Sequence, residues 1–125
     1  MIIGIGVDIA EIARVDRLRE KFGERFAQRI LTADELLEYR RRKNSSNYLA
    51  SRFAVKEAVA KAFGTGIGKH LGFHSMQIDN NANGKPELRF MPDASELVKH
   101  RQVRNALISL SDERHYVVAM ALLES

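Results

Sequence analysis

The spacing of apolar residues divides the chain into short pieces of differing period. The opening "IIGIGVDI" is an isoleucine- and valine-rich run, which predicts a short buried strand ending near Asp8. From Glu11 to Phe22 the period becomes helical. At about 100° per residue, Ile12, Val15, Leu18 and Phe22 fall on one side and Arg14, Arg17 and Lys21 on the other. "ERFAQRI" predicts another short helical piece. "TADE", Thr32 to Glu35, matches a capping box, so a third helix begins near Ala33 and runs into "RRRK", Arg40 to Lys43. The small polar residues of "NSSN" then signal a loop and a new N-cap, and a long helix, about Tyr48 to Phe63, starts there.

Beyond the glycines of "GTGIG", "FHSMQID" and "ELRFM" read as two strands. They are joined by "NNANGKP", where Asn83-Gly84 is a strong turn signal, so they should form a hairpin. "PDASELVKH" offers a helix start at Pro92 and Asp93, and "NALISLSD" and "HYVVAMALLE" supply two more strands separated by "ERH". The tally is about five strands and four helices, unevenly interleaved, with no repeat and no linker. With 125 residues and 45% hydrophobic content, the chain suits one domain over residues 1–125. A chain of this size buries roughly two-thirds of its unfolded surface.

Composition removes several function classes. There is no cysteine, so neither a disulfide framework nor a thiolate metal site can form, and a cytoplasmic setting is the default expectation. The N-terminal apolar run lacks a basic leader and reaches an aspartate by its eighth residue. No later apolar run approaches the roughly 20 residues of a membrane helix, so we expect no membrane association. Charge is more informative in its placement than in its net value of +4. Between Arg14 and Arg52, eleven Lys or Arg face six Asp or Glu, a local excess of +5, while the rest of the chain is near neutral. Such a field either attracts an acidic partner or is simply a solvated basic face.

The long helix carries the candidate chemistry. Its apolar residues, among them Leu49, Phe53, Val55, Ala58, Val59, Ala62 and Phe63, spread over well more than half of the circumference, so little of it can face water. Yet "RFAVKEAVAKAFGTG" holds Arg52, Lys56, Glu57 and Lys61. Arg52 and Lys56 project together. Glu57 and Lys61 lie away from them, beside Ala50 and Ala54, where small side chains leave room for something to approach. A plain i,i+4 pair between Glu57 and Lys61 would account for only about 0.3 kcal/mol. Asp8, at the exit of an apolar strand, is placed like many metal ligands. A second carboxylate from the helix could complete a Mg²⁺ site, with Lys56 and Lys61 neutralising substrate phosphates. Two glycine patterns are set aside. "GIGVDI" has Ile9 where a dinucleotide fingerprint needs its third glycine. "GTGIGKH" has Phe63 at the first glycine of a phosphate loop and His70 in place of the hydroxyl.

"GIGVDIAEIAR", "RFAVKEAVAKAFGTGI", "GKP" and the terminal "SLSDERHYVVAMALLE" occur in an order and spacing that resemble the bacterial holo-acyl-carrier-protein synthases, the small class of phosphopantetheinyl transferases. The resemblance spans nearly the whole chain. It implies an α+β fold, a mostly antiparallel sheet packed with helices around one long central helix. It implies transfer of 4′-phosphopantetheine from coenzyme A to a serine of apo acyl carrier protein, in fatty acid biosynthesis, releasing 3′,5′-ADP. On the matching positions, Asp8 and Glu57 would hold Mg²⁺ and Lys61 would face the phosphates. Phe53, Gly64, Gly84, Lys85 and Pro86 would shape the coenzyme A cleft, and Arg14, Arg17 and Lys21 would dock the acidic carrier protein. Relatives of this size are usually trimers with active sites between subunits. Many also carry a histidine in the strand matching Asn105 to Ser111 and often another just after it, where this chain has Leu107 and Asp112. The serine proton is therefore expected to leave through Glu57 or a Mg²⁺-bound water, with His115 a structural or surface residue.

Two other classes compete. A small basic nucleic-acid-binding domain fits the charge, but Phe22, Phe26, Tyr39 and Tyr48 are scattered along the basic segment instead of clustered for stacking. A scaffolding subunit is the third reading. Mg²⁺-dependent release of 3′,5′-ADP separates the enzyme from both.

Overall fold

The computed structural model describes all residues, 1–125. Chain order is β1 (Ile2–Glu11), α1 (Ile12–Phe22), α2 (Glu24–Ile30), α3 (Ala33–Arg41), α4 (Ser46–Phe63), β2 (Met76–Asn80), β3 (Pro86–Phe90), α5 (Ser95–His100), β4 (Asn105–Asp112) and β5 (Tyr116–Glu124). The helices number five, one more than the tally. The first strand runs three residues past Asp8, because Ile9, Ala10 and Glu11 still pair with Val118, Val117 and Tyr116.

Three antiparallel strands in the order β1-β5-β4 form one sheet and β2-β3 a separate hairpin. The turn of the hairpin is held as its sequence predicts: Asn81 Oδ1 accepts from the amides of Asn83 and Lys85, and Gly84 takes φ 81°, which glycine adopts without strain. The capping box at Thr32 and Glu35 forms, and α4 starts on Ser45, whose hydroxyl accepts from the amide of Tyr48 at 3.2 Å. Helix α4 lies across the three-stranded sheet and forms the centre of a core that includes Leu49, Val55, Val59 and Phe63. Water reaches little of it, as the sequence requires.

The reading of "IIGIGVDI" as a buried strand is corrected. Its large residues Ile5, Val7 and Ile9 are about 60% exposed, and the small Gly6 and Ala10 are buried. The cause is the period of two: even positions face α4, and only glycine fits where the strand touches helix backbone. A methyl at Gly6 would stand 1.9 Å from the Ala58 carbonyl oxygen. On α1, Val15 is buried and Ile12 and Leu18 half-buried, but Phe22 is half exposed at the helix end.

Candidate active site

The alternation that turns Gly4, Gly6 and Ala10 toward α4 turns Asp8 the same way. It meets the part of the helix that presents Glu57 and Lys61. The three residues line a cleft of about 650 Å³ with Phe53, Arg14 and the apolar Val15, Leu18, Phe26 and Tyr116. Lys61 Nζ donates to Asp8 Oδ1 and to the carbonyl of Val7, each at 3.1 Å. The Asp8 side chain is only 14% exposed, and its Oδ2 is buried with no hydrogen-bond partner. Burial, and after it the neighbouring Asp8, raises the pKa of Glu57 above the usual carboxylate range, against an opposing pull from Lys61. A carboxylate with an orphaned buried oxygen, lining one cleft with a second carboxyl group, is suited to share a cation with it.

Mg²⁺ fits this donor set. It is commonly held through one or two carboxylates and fills its remaining positions with water and phosphate oxygens. No three His, Asp or Glu side chains are arranged to hold a metal ion by themselves, so a cage built of protein ligands alone is not formed. The half-exposed Lys61 ammonium stands at the cleft mouth, within reach of an anionic substrate.

Lys56 does not share that role. It is wholly buried, donating to Glu35 Oε1 at 2.6 Å and to the Ile30 carbonyl at 2.7 Å. Burial lowers its pKa, with Glu35 opposing. The expectation that it neutralises substrate phosphates is therefore wrong. Ala50 and Ala54 are also fully buried and leave no room beside Glu57; the space belongs to Ala10, Val15 and Leu18 across the cleft.

The remaining candidates are distributed. Arg14, Arg17 and Lys21 are exposed along α1, with Arg14 at the cleft itself and Arg17 3.4 Å from Glu11. Gly64 caps α4 in the left-handed conformation, φ 78°. Gly84, Lys85 and Pro86 lie at the hairpin tip, outside the Asp8 cleft; Lys85 and Pro86 line a smaller space of about 370 Å³ between β3 and β4. Within one chain, then, the metal-type residues and the hairpin residues do not converge. Tyr116 and Phe26 were missed as cleft residues. No local signal marks either: Tyr116 reaches the cleft because strand pairing sets it opposite Glu11, at the start of α1. The His115 carbonyl accepts from the amide of Ile12 at 2.9 Å, which ties the β4–β5 turn to the β1–α1 junction through backbone alone.

Residues 4–121 match the model of the 4′-phosphopantetheinyl transferase superfamily. The holo-[acyl-carrier-protein] synthase of Shewanella frigidimarina is 48% identical over 124 residues, covering 99% of this chain and 98% of the relative. The crystal structure of the synthase from Neisseria meningitidis is 45% identical over the full length of both chains, with a TM-score of 0.95. The Helicobacter pylori synthase, solved in complex with coenzyme A, is 28% identical, covers 96% of this chain and 99% of its own, and has a TM-score of 0.86. Sequence and fold thus agree along the whole chain, which belongs to the 4′-phosphopantetheinyl transferase superfamily.

Proposed function

We propose that this chain is a Mg²⁺-dependent holo-acyl-carrier-protein synthase that works in the cytoplasm as a homotrimer, each active site lying between neighbouring copies. The activity is that of its family, transfer of 4′-phosphopantetheine from coenzyme A to a serine of apo acyl carrier protein. The observation that carries the metal assignment is the buried, unpartnered Oδ2 of Asp8 in the cleft that Glu57 also lines.

In this reading the serine Oγ attacks the β-phosphorus of coenzyme A. The bond from that phosphorus to the bridging oxygen breaks, and 3′,5′-ADP departs with the bridging oxygen. Asp8 and Glu57 would hold Mg²⁺, which supplies positive charge to the pyrophosphate as negative charge builds on the leaving group. Lys61 turns its ammonium from Asp8 toward the same phosphates. With Leu107 and Asp112 standing where relatives carry histidine, the serine proton would leave through Glu57 or a Mg²⁺-bound water. Arg14, Arg17 and Lys21 line the approach for an acidic carrier protein.

Support for self-association comes from the outer face of the sheet. Ile5, Val7 and Ile9 of β1, Val118 and Met120 of β5 and Leu107 of β4 are all 40% exposed or more, in rows fixed by the strand register. A monomer rarely leaves such a continuous apolar face bare. A neighbouring copy would also bring a Gly84–Pro86 tip to the Asp8 cleft, which a single chain does not. The test is a mixture of the protein, coenzyme A and apo carrier protein. Release of 3′,5′-ADP is expected with Mg²⁺ and not with chelator; release unaffected by chelation would overturn the metal assignment.

A further inference from the structure

The one wholly buried charge in α4 takes no part in that chemistry. Lys56 reaches across the core to Glu35 Oε1 and the Ile30 carbonyl. Glu35, only 2% exposed, also accepts from the amide of Thr32 at 3.0 Å and, through Oε2, from the amide of Ile78 at 2.8 Å. The partners come from four elements: Ile30 closes α2, Glu35 opens α3, Lys56 lies mid-way along α4 and Ile78 lies mid-way along β2. Around them, Thr32 Oγ1 donates to Gln77 Oε1 at 2.7 Å. A capping-box glutamate needs only its own helix end. Here it is drawn into the core as the counter-ion of a lysine.

Such a pair is weak evidence for stability, because well-packed apolar residues often serve a core equally well. What convergent hydrogen bonds add, and apolar packing does not, is a fixed geometry. The β2–β3 hairpin needs that. It is hydrogen-bonded to no strand of the other sheet, and two-stranded ribbons are marginal alone. Met76 and Ile78 bury against the core, and side-chain bonds from Arg52 to Asn80 at 3.3 Å and from Thr32 to Gln77 add to the hold, but none of these engages the strand backbone. The amide of Ile78 on Glu35 sets one position along the strand. From Ile78, which pairs with Leu88, the two strands run on to Asn80 and Pro86 at the tip.

We propose that Lys56 and Glu35 are positioning residues that lock the β2–β3 hairpin to α4 and so present Gly84, Lys85 and Pro86 to coenzyme A at a fixed place. This rests on the functional reading above, in which those tip residues meet coenzyme A. The metal side is held independently: Gly4 and Gly6 seat β1 against the Ala58 and Ala62 backbone of α4. Loosening the buried pair should therefore free the hairpin and leave Asp8 and Glu57 in place.

The test compares Lys56→Met with the double variant Glu35→Gln, Lys56→Met, in which both charges are removed at near-constant size. In the folded variants, the KM for coenzyme A should rise at least about tenfold, while the KM for apo carrier protein and the Mg²⁺ dependence stay within about twofold. Hydrogen exchange at Ile78 and through the hairpin should quicken at least about tenfold, with the amides of β1 and α4 unchanged. A folded variant with near-normal KM for coenzyme A, or protection lost evenly over the chain, would overturn the proposal. So would failure of both variants to fold, which would make the pair a stability element only. If wild-type protein shows no transfer from coenzyme A, the functional reading falls instead, and the exchange measurement still decides whether the pair holds the hairpin.

Discussion

Replacing Gly6 by alanine tests the contact on which the site geometry depends. The new methyl would lie 1.9 Å from the Ala58 oxygen, 2.7 Å from the Ala62 nitrogen and 3.0 Å from the Ala58 carbonyl carbon. All three are backbone atoms of an 18-residue helix, so no rotamer change relieves the clash. Reaching an ordinary contact distance of 3.4 Å requires β1 and α4 to separate locally by about 1.5 Å. A gap of 0.5–1 Å already forfeits about a quarter to a half of each dispersion contact across it. Overpacking usually costs about 1–3 kcal/mol. With backbone on both sides we expect about 3 kcal/mol or more, a large part of the roughly 5–15 kcal/mol that holds a typical protein folded. The same movement draws Asp8, two residues along the strand, away from Glu57. Urea unfolding followed by circular dichroism measures the loss, and 3′,5′-ADP release below the variant's Tm measures the effect on the site. Gly68→Ala is the control, since nothing lies within 4 Å of its added methyl. It should change stability by about 0.5 kcal/mol or less. A loss under about 1 kcal/mol for Gly6→Ala would refute the close approach of strand and helix.

Four further outcomes are expected. Asp8→Asn and Glu57→Gln should each lose most activity with the fold intact, as judged by circular dichroism, because each removes an anionic ligand at constant size; near-normal turnover at limiting Mg²⁺ clears the residue concerned. Arg14→Glu should raise the KM for carrier protein far more than that for coenzyme A, and wild-type association should slow with added salt; equal effects on both substrates count against docking. Asp16, whose carboxylate accepts from Ser46 at 2.6 Å and Arg19 at 2.8 Å, has its pKa lowered by the Ser46 hydroxyl first and Arg19 second. A depressed folded-state pKa stabilises above the ordinary carboxylate value and is lost as pH falls through the lowered one, so Asp16→Asn should lower Tm at neutral pH, with the difference closing in strong acid. His115→Ala should keep at least about a tenth of kcat, since loss of a general base typically costs about 10²- to 10⁴-fold; a hundredfold drop in folded protein returns the base to histidine.

Local chemistry was legible wherever a local cause decides the structure. The capping box at Thr32 and the Asn83-Gly84 turn each follow from residues within one turn of each other, and the apolar girth of α4 from the residues of that one helix. The two carboxylates were legible as candidates, and their meeting was not, because 49 positions separate Asp8 from Glu57 and only the even–odd alternation of β1 decides which strand face α4 covers. That alternation also misled. Isoleucine and valine signal burial by composition, and Ile5, Val7 and Ile9 lie on the uncovered face because the residues small enough to touch α4 occupy the even positions.

Lys56 and Lys61 make the same point about a single helix. Both are within four positions of Glu57, and in the sequence either could serve a phosphate. Their fates diverge through distant partners. Lys61 finds Asp8, an acid whose second oxygen stays open, and keeps its ammonium half exposed at a cleft mouth. Lys56 finds Glu35, whose presence the capping box fully explains and whose second duty therefore leaves no mark in the sequence. Burying an ammonium is costly unless its counter-ion and the remaining donors and acceptors are all in place. The core around Lys56 gives its ammonium a carbonyl from α2 and a carboxylate from α3, and that carboxylate also accepts an amide from β2. Because those partners arrive only when four elements have packed, the residue's role is a property of the assembled fold. The adjacent Glu57, one residue on and turned about 100° away, is thereby left to face the cleft.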